Sequence, residues 1–270
     1  RTSRPRRTSR PRRTSLPRRV ARLLAAGVVV ATVGVGVAGC GDDSDAGATR
    51  GDGEHKITVA GDSISVGLGS QLREVLADRA GGGGGEGGGD GLTGADDVVV
   101  KVIGEPGTGL ARPDNFDWPT RLRALAADFP PDVLVFSVGS NDAQDLTDAA
   151  GDVVVPMSDE QAWDAEYSRR LAEVFDAFRP ADGEDPTTRV VWVGHVRTAR
   201  DDVADTNRRV HRLATEVAAD RPWVEVRDLA ALLGTGDTEA TRCLLPDGLH
   251  LSVDCLAEAD RALLDDLVAR

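Results

Sequence analysis

Acidic side chains are missing from the first 39 residues, lysine is nearly missing throughout, and cysteine is scarce. Residues 1–39 carry ten arginines and no Asp or Glu, so all 45 acidic groups lie beyond Cys40, against 22 basic ones, a net charge of −23. A field of that sign disfavours nucleic acid and anionic lipid as partners, since both are polyanions. Only Lys56 and Lys101 accompany thirty arginines, a bias of base composition that says little about function. No Gly-x-Gly-x-x-Gly follows a strand candidate, and no His, Cys and carboxylate set has metal-ligand spacing, so neither a nucleotide cofactor nor a metal is expected. Length allows one catalytic domain with tails.

The N-terminal part reads as an export signal. Residues 1–18 are a six-residue repeat (RTSRPR, RTSRPR, RTSLPR) with Leu16 as its single apolar residue, which cannot build a core. Residues 23–38 are almost wholly apolar and follow Arg18, Arg19 and Arg22. Sixteen such residues are short for a membrane span and suit the apolar region of a signal peptide. The run ends in Val37-Ala38-Gly39-Cys40, small residues before a cysteine, which resembles the bacterial lipoprotein cleavage box. Cleavage there would leave a lipid-bearing Cys40, a membrane tether and an extracytoplasmic protein; ordinary secretion is the alternative. Residues 40–54 are polar, Gly-rich and acidic, a flexible tether, and the folded domain is expected over 55–270. With Cys40 lipidated, Cys243 and Cys255 form an even pair, in an oxidising compartment expected to bridge, with two buried free thiols as the alternative.

Within the domain, apolar β-rich runs at 57–60, 98–103, 133–138, 190–193 and 224–226 alternate with amphipathic stretches at 65–79, 119–128, 159–178, 202–219 and 256–268. Short, nearly continuous apolar strands alternating with helices imply a five-stranded parallel sheet covered on both faces, a three-layer α/β/α domain. The glycine run at 81–91 follows a helix and not a strand, so it reads as a mobile surface insertion.

In open parallel sheets, ligands gather at the carboxyl ends of the strands. Those positions hold Gly61-Asp62-Ser63, then Gly107-Thr108-Gly109, then Gly139-Ser140-Asn141-Asp142, then Gly194-His195; the loop before the last helix holds Asp247-Gly248-Leu249-His250. Each piece alone is a plain turn or helix cap. Together they supply what acyl transfer needs. A serine hydroxyl is a poor nucleophile until an imidazole takes its proton, and an acid three residues from that histidine can fix its tautomer. Backbone N–H groups and an amide can stabilise the oxyanion. Gly61-Asp62-Ser63, the 107–109 turn, Gly139-x-Asn141-Asp142 and Asp247-x-x-His250 resemble the four sequence blocks of the GDSL/SGNH hydrolase family. The stretch 107–118 with Trp163 and Tyr167 is similar to an envelope-associated branch of it.

That resemblance, over roughly residues 56–268, implies a flavodoxin-like fold and an ester hydrolase or acyltransferase. It assigns Ser63 as nucleophile, His250 as base and Asp247 as its orienter, without cofactor. The oxyanion donors would be the Ser63 N–H, Asn141 and either Gly107 or Gly109. Ser65 stands where the α/β-hydrolase motif Gly-x-Ser-x-Gly needs its second glycine, which argues against that fold. The expectation is an exported, monomeric esterase acting on O-acyl groups, such as acetyl esters of envelope glycans. Acyl transfer by the same residues and a non-catalytic, lipid-anchored binding module are the alternatives. His195 reads as a pocket-wall or buried residue, His55 and His211 as surface residues, Asp62 and Asp142 as loop-bonding groups. Met157 and the four tryptophans read as core or pocket lining.

Overall fold

The computed structural model describes residues 54–81, 98–194, 198–234 and 240–268. The expected export signal, Cys40, the expected tether up to residue 53, residues 82–91 of the glycine run and His195 lie outside the described residues. Five strands form the main sheet: β1 (His55–Gly61), β2 (Val98–Gly104), β3 (Val133–Ser137), β6 (Arg189–Gly194) and β7 (Val224–Asp228). A short antiparallel hairpin, β4 (Leu146–Thr147) with β5 (Val153–Val155), stands apart. The helices are α1 (Ser63–Gly81), α2 (Trp118–Asp128), α3 (Glu160–Asp176), α4 (Asp201–Ala218), α5 (Leu229–Leu232) and α6 (Val253–Leu267).

The sheet order is β2-β1-β3-β6-β7, with every pair parallel. This doubly wound order reverses direction between β1 and β3, and such a reversal opens a crevice at the carboxyl ends of those two strands. Ser63 follows β1 and Asn141 follows β3, so the topology alone brings two of the four sequence blocks side by side.

Strand side chains alternate between two cores, as period two demands. Ile57, Val59, Val133, Val135, Val191 and Val193 face α1, α5 and α6 in an aliphatic cluster. Ala60, Leu134, Phe136, Val190 and Trp192 face α2, α3 and α4 in a second cluster rich in aromatics. There Trp118, Phe136, Trp192 and Phe175 form a run of edge-on rings with centroids 5.2, 5.6 and 5.8 Å apart. Burying each such ring contributes about 2–3 kcal/mol. All four tryptophans are core residues, as expected from the sequence.

Two histidines depart from expectation. His55 is buried, with Nε2 2.8 Å from the Leu267 carbonyl, because the first residue of β1 lies beneath the end of α6. His211 is half-buried on α4 and fills the space beside Gly194, where an added Cβ would lie 2.4 Å from its Nδ1. Neither is a surface residue. The hairpin, α5 and the 3₁₀ turn Ala240–Cys243 carry too few residues to show a period, and α6 begins at Val253 instead of 256 because Ser252 caps it, accepting from the Cys255 N–H at 3.3 Å.

Candidate active site

Gly61 decides the entry to the site. Its φ is +135°, and a Cβ there would sit 1.9 Å from the Ser137 carbonyl oxygen, so only glycine lets the chain turn against β3. The next peptide is held there, Asp62 N–H donating to that same carbonyl at 3.1 Å. Asp62 then caps α1, its Oδ1 accepting from Ile64 N–H at 3.0 Å, and Ser63 becomes the first residue of the helix. The Ser63 hydroxyl thus stands at a helix N-terminus, whose free N–H groups and dipole favour negative charge. Ser65 shows why no glycine is needed two residues on: its hydroxyl donates to Ala60 O (2.8 Å) and Ser137 O (3.0 Å), tying the ends of β1 and β3 together.

The Asp247–His250 loop folds around one carboxylate. Asp247 Oδ1 accepts the backbone N–H of Leu249 (2.9 Å) and of His250 (3.0 Å), while Oδ2 lies 2.7 Å from His250 Nδ1. Gly248 supplies the left-handed residue this tight turn requires, at φ +70°. These bonds hold the Asp247 carboxyl down at about 2, the one to His250 foremost. An ionised Asp247 places the ring proton on Nδ1 and leaves Nε2 as an acceptor. Nε2 is 2.8 Å from Ser63 Oγ. The loop's base is closed by the Leu244–Leu251 bridge, by Leu245 N–H to His250 O (2.7 Å), and by the Cys243–Cys255 disulfide expected from the sequence. Ala199 N–H donates to Gly248 O at 2.8 Å, bracing the loop from the side of α4.

Asn141 lies across from this pair. Its amide donates to Thr108 O at 2.9 Å and to Asp62 Oδ2 at 3.3 Å. No cis peptide interrupts the described chain, and a trans peptide points its C=O and N–H in opposite directions. Since the Thr108 carbonyl faces Asn141, the Gly109 N–H turns away from it. Gly109 is also packed tightly, for a Cβ there would lie 2.1 Å from Asp142 Oδ1. Gly107, at φ +78°, is exposed with open space around it. The structure therefore separates the two glycines that the sequence left equivalent.

Behind Asn141 lies a buried polar strut. Asp142 accepts from Ala111 N–H (2.7 Å) and from the Tyr167 hydroxyl (2.7 Å), and Tyr167 stacks on Trp163 at 4.6 Å. Burial raises the Asp142 carboxyl above the ordinary carboxylate range, which Tyr167 and the backbone donors oppose, and burial raises the Tyr167 hydroxyl well above 10. Asp142 is thus the loop-bonding group the sequence suggested. Arg170 was not foreseen. Its buried guanidinium donates to Leu110 O (2.7 Å), Ala111 O (3.1 Å) and Thr147 O (2.6 Å), clamping the loop that holds Thr108 and Gly109 to β4. Helical spacing sets it on the buried face of α3 with Trp163, Tyr167, Leu171 and Val174, whereas its neighbour Arg169 is exposed. Among the described residues no group of three His, Cys, Asp or Glu could hold a metal ion.

The DUF459 family, described as a protein of unknown function, matches residues 56–245. The chain belongs to that family. The matched span includes Ser63, Gly107, Gly109 and Asn141 and ends before Asp247 and His250. No curated protein matches the chain. Its fold is the α/β fold of the SGNH hydrolases, similar to that of the M. smegmatis aryl esterase at TM-score 0.52 and 14% identity, covering 79% of this chain and 98% of that one. A carbohydrate acetylesterase from Sinorhizobium meliloti superposes at TM-score 0.50 and 15% identity, over 79% and 98%. The catalytic domain of a peptidoglycan O-acetyltransferase from Streptococcus pneumoniae does so at 0.50 and 9%, over 79% and 92%. At these identities the likeness is one of fold.

Proposed function

We propose that the protein is a serine esterase that cleaves O-acyl esters through an acyl-enzyme on Ser63. One observation carries this reading: an unbroken line of hydrogen bonds runs from Ser63 Oγ through His250 to Asp247, at the carboxyl edge of the sheet. Ser63 Oγ attacks the ester carbonyl while its proton passes to His250 Nε2, and Asp247 stabilises the imidazolium. The oxyanion is met by the N–H of Ser63 at the helix start, the N–H of Gly107 and the Asn141 amide, which gives up its long bond to Asp62. Collapse expels the alcohol oxygen, which takes the proton from His250. Water then attacks acyl-Ser63, its proton passing to His250; the acyl–Oγ bond breaks, Ser63 Oγ takes that proton back, and the carboxylic acid leaves.

Acetyl esters of envelope glycans are the proposed substrate class. Support comes from two fold relatives whose described substrates are acetylated carbohydrate and peptidoglycan, and from the export signal read at residues 1–39 with lipid on Cys40. A monomer, tethered outside the cytoplasm or secreted, completes the reading. A second reading, acyl transfer to a sugar hydroxyl, is favoured by the openness of the acid–base pair: the His250 side chain is 37% exposed and that of Asp247 49%. An acceptor as large as a glycan can therefore approach an acyl-Ser63. A fluorophosphonate probe should label the full chain once, at Ser63, and Ser63→Ala should abolish the adduct in intact-mass spectra. Undiminished labelling of that variant, or none in the native chain, removes the serine mechanism and leaves the non-catalytic envelope-binding module as the reading. Product analysis with a glycan acceptor separates esterase from transferase.

A further inference from the structure

Asp62 takes no direct part in that chemistry, yet it immediately precedes the nucleophile and is 1% exposed. Capping α1 needs a single side-chain oxygen, and Ser or Asn would serve there as well. Asp62 uses Oδ1 for this and turns Oδ2 onto Asn141 Nδ2, at 3.3 Å. The second N–H of that amide, 2.9 Å from Thr108 O, is fixed by the backbone. The N–H shared with Asp62 is the one free to be redirected.

The charged groups around Asp62 pull in opposite directions. His250, on the loop before α6, favours the carboxylate when it is protonated. Asp142, on the loop after β3 and bonded to Tyr167 of α3, is a buried carboxyl that repels it. Burial outweighs the backbone N–H bonds of Ile64 and Ser65 and the charge of His250, and pushes the Asp62 carboxyl up to about 7. A buried carboxyl thus faces the oxyanion donor and can change charge near neutral pH.

We propose that Asp62 is a positioning residue acting through Asn141. Protonated, it leaves the Asn141 N–H able to turn to the tetrahedral oxyanion. Ionised, it holds that N–H back and sets a negative charge beside the one that forms. The inference rests on the serine-esterase reading and adds a second titrating group to it.

The test is the kcat–pH profile of the full chain with p-nitrophenyl acetate, for the native protein, Asp62→Asn and Ser63→Ala. Native kcat should fall above neutrality, by up to about tenfold per pH unit, as Asp62 ionises. Asp62→Asn keeps the shape of the carboxyl without its charge. It should lose the fall, so that the ratio of variant to native kcat climbs steadily above neutrality. Asp62→Leu, which removes both oxygens, should lower kcat about 10²-fold at every pH with a smaller change in KM. An alkaline fall that persists in Asp62→Asn overturns the proposal, as does a native profile without one. Loss of the fold in Asp62→Asn, read by circular dichroism, overturns it too, since the carboxyl is then structural. Absence of any Ser63-dependent turnover in the native chain is a different failure, which removes the underlying reading and this one with it.

Discussion

The two halves of the site are built to opposite specifications. The half that carries Ser63 and Asn141 grows out of strand ends β1 and β3. Its supporting carboxyls, Asp62 and Asp142, and its Tyr167 are almost wholly buried. The half that carries His250 is a turn of eight residues between Cys243 and the cap of α6, with His250 and Asp247 open to solvent. The first half is held by the sheet and by close packing; the second is held by a disulfide, a two-residue bridge and one carboxylate. A donor set for a transient oxyanion must stand within a few tenths of an ångström of its place, so it belongs on rigid elements. A base that shuttles protons between serine, leaving group and water tolerates more freedom.

That contrast can be broken most forcefully at Asp247. Asp247→Asn should leave the fold intact and lower kcat about 10⁴-fold, because the amide favours the wrong imidazole tautomer; a loss of only a few fold would show that the loop backbone alone orients His250. Asp260 probes the helix from which the loop hangs. It is buried on α6, with Oδ2 unpartnered, and burial raises its carboxyl to about 8. A folded value raised above the ordinary carboxylate means that the folded state holds its proton longer than the unfolded one. Stability is then unaffected below about pH 4 and falls by up to about 1.4 kcal/mol per pH unit until pH 8, where the loss levels off. Asp260→Leu should flatten that slope and stabilise the chain at neutral pH, as read from urea unfolding at several pH values. An unchanged slope would mean that Asp260 ionises freely in the folded chain.

What was legible in the sequence follows the same division. The five sheet strands and their flanking helices showed because a strand buried on both faces must be apolar throughout, as at 133–138. Ser63, Asn141, Asp247 and His250 showed because each lies at a strand end or in the last loop, where the topology sends ligands. The hairpin of β4 and β5 did not, since two residues carry no alternation. The carbonyl partners of Arg170 and the burial of His55 were hidden for another reason: each depends on what another element brings to it. The difference between the surroundings of Gly107 and Gly109 rests on the direction of one peptide and on the packing of Asp142, which composition cannot carry.

Smaller effects sharpen the picture. Replacing both Cys243 and Cys255 by serine opens the loop of twelve-residue separation around His250. It should cost about 3 kcal/mol of stability and lower hydrolysis even where the chain stays folded; activity equal to that of the native chain would show that the bridge serves folding alone. Tyr167→Phe removes one bond from the buried strut and leaves Asp142 short of a donor, for about 1–3 kcal/mol of stability. Thermal melting of that variant should show the loss, with little change in KM. A melting temperature equal to the native one would mean that Asp142 is held by its backbone donors and does not need the hydroxyl.

The central claim is that these two halves meet as one catalytic unit, and steady-state hydrolysis of p-nitrophenyl acetate by the native chain, Ser63→Ala and His250→Ala tests it most directly. Measurable turnover in the native chain that falls to background in both variants, with unchanged circular dichroism, is the result the account expects. Turnover that survives in either variant, or a folded native chain with none, would contradict it.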